Sequence, residues 1–185
     1  MILPLLAILM MGLLEFALAF QATLGINRAS QQAALLASEA GNTNGADCLI
    51  LQQVEADIGP PNDRSNILEV QIQRTGPGGG TVYAKQTYTR GGTTSCTLND
   101  GSTVSVPYTR TTNSYPDDQR CNVLDGCPAM TPARTTVDTI GIQIRYKHDW
   151  RTPLAAVMKL IDGTGPSGAT WTFQKRNVFR MEPML

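Results

Sequence analysis

The chain has 185 residues, enough for one ordinary domain and an appended segment but tight for two. Fifteen Lys and Arg balance fifteen Asp and Glu, so no net field recommends nucleic acid or an anionic membrane surface as a partner. Apolar residues saturate the first twenty positions, while the remainder is rich in Thr, Gly, Asp, Asn and Pro.

From Ile2 to Phe20, Glu15 is the only residue that is neither apolar, Gly nor Pro. About twenty such residues at roughly 1.5 Å rise cross a hydrocarbon core of about 30 Å. Pro4 lies in the first turn, where its missing N–H removes no intrahelical bond. Strong helix formers continue without Pro to Ala40, and Gly41 with Asn42 and Asn44 supplies a stop. The expectation is one helix of about forty residues, with residues 1–41 as transmembrane helix and extension and 42–185 as an exported domain. An ionised Glu15 at the centre of a span costs about 2.5–3.5 kcal/mol, so it needs an interfacial position, with headgroups and water in reach, or a cation on a neighbouring subunit. Ala29, Ala33 and Ala37 repeat every four residues and form a smooth stripe that admits a close helix neighbour. The rival for this segment is a secretory signal cut after Ala19, because Ala17-Leu18-Ala19 has small-x-small spacing. Against it, no basic residue precedes the apolar run, and Glu15 sits where the uncharged cleavage region begins. The first cation, Arg28, follows the span and taken alone favours a cytoplasmic C-terminal part, whereas cysteine usage favours an extracytoplasmic one.

Cys48, Cys96, Cys121 and Cys127 form an even set behind an export-like N-terminus, which reads as disulfides. Three pairings are possible. Cys121 with Cys127 and Cys48 with Cys96 is favoured, because the close pair closes a small loop rich in turn residues. Zinc is disfavoured by the lack of a closely spaced Cys/His cluster, His148 being the single histidine.

Residues 46–58 read as a short helix with Asp47 as N-cap, ended by Gly59-Pro60-Pro61. Strands are expected over 67–74, 81–90 and 103–111, broken by Gly91-Gly92 and by Asn99-Asp100-Gly101. Residues 110–134 read as a long polar loop. Residues 139–150 alternate clearly, with Ile140, Ile142, Ile144 and Tyr146 on one face, and 169–180 closes an antiparallel sheet with Trp171, Phe173 and Val178 available to the core. The fold class is therefore α+β: a long N-terminal transmembrane helix, then a mostly antiparallel β domain with a short helix and disulfides.

Apparent catalytic motifs read as structure. Gly163 to Thr170 has the glycine spacing of a phosphate loop, but Ala169 stands where the lysine belongs. His148-Asp149 lacks a nucleophile elbow, and His148 reads as polar surface at a strand end. Asp117-Asp118 and Asn99-Asp100 read as turn formers. No catalytic, metal or cofactor-binding residues are expected, and the chain does not read as an enzyme.

Ile2 to Phe16, a run opened by Leu-Pro and closed by Gly12-x-x-Glu15-Phe16, resembles the anchor of the TadE-like pseudopilins of tight-adherence (Tad) pilus systems. The likeness continues through the Ala-rich helix. It returns in Tyr146, Trp150, Thr152 and Pro153 and in Arg180 to Pro183. It covers about forty N-terminal residues and leaves the middle unmatched. The resemblance implies a single-pass cell-membrane protein with an extracytoplasmic C-terminal domain. Its implied role is structural, in pilus assembly and adhesion, and its partners are other pilin subunits and the assembly machinery. Gly12, Glu15, Ala29, Ala33 and Ala37 are the expected helix-packing residues. The family's basic leader and its Gly/Glu-Phe processing site are missing, since Glu15 follows Gly12 by three positions and not five. That departure is read as a true start upstream or an unprocessed relative. The alternative is a secreted β-rich binding protein cleaved after Ala19; an extracytoplasmic hydrolase is the third reading.

Overall fold

The computed structural model describes residues 2–60, 62–122, 127, 136–152 and 170–181. Helix α1 spans Ile2–Ala40, about 58 Å at 1.5 Å per residue. It stops where expected: Gly41 takes the left-handed conformation (φ 58°), and its N–H returns to the carbonyl of Ala37 at 3.3 Å. Helix α2 spans Ala46–Asp57. Five strands follow, β1 Ile67–Thr75, β2 Val82–Thr97, β3 Thr103–Asn113, β4 Thr139–Asp149 and β5 Thr170–Arg180. They form one sheet in the order β3-β2-β1-β4-β5, antiparallel at every pairing.

The upper part of α1 lies on β4, β5 and α2. Its buried residues, Ala19, Ala22, Ile26, Ala29, Ala33 and Ala37, recur at intervals of three and four and keep one face toward the sheet. Opposite them, Ile140, Ile142, Ile144 and Tyr146 are all buried, as the alternation of β4 predicts. The small alanines bring the helix backbone close to the strands, so polar groups on α1 reach the sheet. Ser30 Oγ donates to the carbonyl of Ile142 at 2.8 Å, and Asn177 Nδ2 donates to the Asn27 carbonyl at 3.2 Å. One apolar cluster joins α1, α2 and the sheet.

Four expectations change. Strand β2 does not end at Gly91 but runs on to Thr97. Gly91 (φ 108°) and Gly92 (φ 95°) form a bulge there, and the register with β3 shifts between Arg90 and Thr94. The N-cap of α2 is Gly45, with no side-chain cap; Asp47 points inward instead. Val178 faces away from α1, with Gly79 and Gly141 beside it, while Phe173 packs on the core. The polar stretch after β3 begins only at Ser114, and Asp117–Gln119 forms a 3₁₀ turn within it. Asp100 accepts from the N–H of Ser102 at 2.9 Å, as a turn former does. The side chain of Trp171 and the glycine-spaced segment 163–169 lie outside the described residues.

Two tyrosines carry a measurable consequence. Burial, and then the Asp47 carboxylate, push the Tyr88 hydroxyl far above its ordinary range. Burial and the hydrogen bond to Glu55 do the same for Tyr108. Their folded pKa values lie above the unfolded value of about 10. The folded state therefore keeps protons that the unfolded chain releases, and stability present below about pH 10 is lost as the pH rises past it. Phenolate absorbance should show Tyr88 and Tyr108 ionising only as the protein unfolds. Smooth titration of both without loss of structure would contradict this placement.

Candidate functional site

Two surfaces of α1 differ in kind. On the sides that the domain does not cover, Leu3, Leu5, Leu6, Ile8, Leu9, Met10, Leu13, Leu14, Phe16, Phe20 and Leu24 are exposed, from 81 % at Leu3 down to 45 % at Ile8. The run from Ile2 to Leu24 measures about 33 Å, but the head covers one face of it from Glu15 upward, so the part clear of the domain, Ile2 to Leu14, measures about 18 Å. This is a helix long and apolar enough to cross a membrane, and one near the N-terminus, as a signal sequence is. Gly12 lies in the exposed stretch, with nothing within 4 Å of where a Cβ would stand. A second helix can approach the backbone there.

Glu15 is the exception on this stalk. It is only 2 % exposed, because the end of β4 and the residues after it close over it. Nε2 of His148 lies 3.0 Å from its Oε1. The N–H of Arg151 reaches both carboxylate oxygens, at 3.2 and 3.1 Å, and that of Thr152 donates to Oε2 at 2.9 Å. Glu15 therefore neither reaches headgroups nor waits for a neighbour's cation: its partner is supplied by its own chain. His148 in turn is not polar surface but 6 % exposed. The signal for this contact was the spacing Glu15, Ala19, Ala22, Ile26, which places the carboxylate on the face that carries the core alanines.

Ala29, Ala33 and Ala37 are fully buried, so the smooth stripe is occupied by the chain's own domain. Of the helix residues singled out in the sequence, Gly12 alone is open to a partner, and Glu15 fixes the helix to the head. The latch has a direct test. In Glu15→Ala the Arg151 and Thr152 amides lose their acceptor, each buried bond being worth about 1–3 kcal/mol. Their hydrogen exchange should accelerate by about tenfold to a hundredfold relative to β1. Unchanged protection would show that the carboxylate does not hold the base of the head.

The disulfides link Cys48 with Cys96 and Cys121 with Cys127. The first ties α2 to the far arm of β2, and such bonds point to an oxidising, extracytoplasmic compartment. Beside Cys48 lies a buried polar cluster that the sequence did not disclose. The Arg120 guanidinium, fully enclosed, pairs with Asp47, which also accepts from Tyr88 Oη at 2.6 Å and Gln86 Nε2 at 2.8 Å. Burial opposes the charge of Arg120, but the adjacent Asp47 carboxylate outweighs it and holds the guanidinium pKa above its ordinary value. Arg120 also stacks over the Tyr115 ring at 5.2 Å. The cluster is internal, and it braces α2 and the segment after β3 against the sheet.

No protein-family model, no curated protein and no solved structure matches the chain.

Proposed function

We propose that the chain is a membrane-anchored structural subunit of a pilus-type assembly, a minor pilin or pseudopilin of the tight-adherence kind. The observation that carries this reading is a single continuous helix whose lower half presents apolar side chains while its upper half forms the spine of a disulfide-bonded α+β head. Such a helix is stored in a bilayer and exchanges lipid contacts for contacts with other helices at little cost, since neither environment offers water. Gly12 supplies a point of close approach. Glu15 sets the stalk against the base of the head, so that helix packing in the membrane dictates where each head sits outside it. The role is structural and adhesive, with other pilin subunits and the assembly machinery as partners and no cofactor.

The small-x-small spacing at Ala17 to Ala19 supports a second reading, a secreted binding protein cut after Ala19. Two features weigh against it. Ala19 is 4 % exposed within an unbroken helix, and the cut removes the carboxylate that satisfies His148 and two backbone donors. The intact mass of protein isolated from the native envelope separates the two. Retention of residues 2–19 in a membrane-bound form supports the anchor, and their loss supports secretion.

A further inference from the structure

Helix α1 ends at Ala40 and α2 begins at Ala46, and the corner between them carries Asn44-Gly45, the one Asn-Gly pair in the chain. The Asn44 side chain is exposed and makes no hydrogen bond among the described residues. Gly45 is required where it stands. Its φ of 78° is left-handed, and a Cβ there would lie 2.7 Å from Leu98 Cδ2 and 3.1 Å from the Thr97 carbonyl oxygen. The fold therefore sets an unhindered main-chain nitrogen directly after an exposed asparagine.

That pairing is reactive. Once the Gly45 amide nitrogen loses its proton it can attack Asn44 Cγ, because no side chain on residue 45 stands in the way. The N–Cγ bond forms and the Cγ–Nδ2 bond breaks; the Nδ2 group takes up a proton from water and leaves as ammonia, and a cyclic succinimide remains. Water then opens the ring at either carbonyl, giving aspartate or isoaspartate. The first step waits on the Gly45 proton, and a carboxylate holds it: the Gly45 N–H donates to Asp117 Oδ2 at 3.1 Å. The other oxygen of Asp117 accepts from the N–H of Asp118 at 3.1 Å, which keeps the group in place. A carboxylate in that position stabilises the protonated amide through the hydrogen bond and repels the anion that must form.

We infer that Asn44 is a site of spontaneous modification in the folded protein, converted to aspartate and isoaspartate, and that Asp117 sets the rate by holding the Gly45 proton. Isoaspartate adds a main-chain carbon ahead of Gly45, where Leu98 and the Thr97 carbonyl leave no room. Its formation therefore loosens the start of α2. The site does not depend on the pilin reading.

The test incubates the full chain in detergent micelles at mildly alkaline pH and maps peptides over time for the mass gained when an amide becomes an acid. Asn44 should convert ahead of Asn99 and Asn113, which are equally exposed but precede Asp100 and Ser114, residues with side chains. Asp117→Asn removes the charge and should speed conversion at Asn44 by about tenfold, the effect of one unit of amide acidity, with the other two sites unchanged and both disulfides intact. Asp117→Glu keeps the charge and should restore the slow rate. Conversion of Asn99 or Asn113 before Asn44 overturns the inference, as does an Asp117→Asn rate no faster than that of the unaltered chain, or an Asp117→Glu rate as fast as that of Asp117→Asn. The order of conversion is read on the unaltered chain, so it decides the matter even if the variants misfold.

Discussion

Replacing Asp47 with alanine is expected to destabilise the head by about 3–5 kcal/mol, because it strands a fully enclosed cation. Arg120 is already short of partners: its Nε and Nη1 have none, so the bond from Nη2 to Asp47 is its principal compensation. The same substitution removes the acceptor of Tyr88 Oη and Gln86 Nε2. With a urea dependence of about 2 kcal/mol per molar, the midpoint of unfolding followed by tryptophan fluorescence should fall by about 2 M. The double variant Asp47→Leu, Arg120→Met removes both charges together and should recover most of that loss, since replacing a whole buried pair by apolar groups is often neutral. A loss below about 1 kcal/mol in the single variant, the level of a surface pair, would contradict the burial of this cluster.

The second large effect is the disulfide that joins Cys48 and Cys96 across 48 positions. Loop-closure entropy assigns about 4 kcal/mol to a loop of that length and about 2 kcal/mol to the one between Cys121 and Cys127, which are 6 apart. Cys48→Ala with Cys96→Ala should therefore cost about twice as much as Cys121→Ala with Cys127→Ala in the same unfolding assay. Non-reducing peptide mapping should find both bonds and no free thiol in protein from the envelope. Four alkylatable cysteines there would contradict the oxidising compartment, and an equal or reversed order of the two losses would contradict the role of the long loop.

What the sequence disclosed and what it hid follow the range of the interactions. The helix from Ile2 to Ala40 and the strand carrying Ile140, Ile142, Ile144 and Tyr146 were legible, because periodicity is a local signal repeated along each element. The disulfide pairing was legible from the short spacing of one pair and the parity of the rest. Gly91-Gly92 was read as the end of a strand, since positive φ serves a turn and a bulge equally; only the pairing with β3 decides between them. Asp47 looked like a cap because its distinguishing partner, Arg120, is 73 positions away. Glu15 and His148 are 133 apart, and each alone gave the commoner reading of its type. An acid on the core-facing stripe of a helix predicts a partner inside the fold, although not which residue.

The measurement that bears most directly on the anchor and assembly reading is photo-crosslinking from position 13, in the exposed part of the stalk, in native envelopes, with the linked peptides mapped by mass spectrometry. The account predicts a chain that still carries residues 2–19, joined to the apolar N-terminal helix of another membrane-anchored subunit. Adducts to lipid alone, or a chain that begins at Phe20, would contradict it.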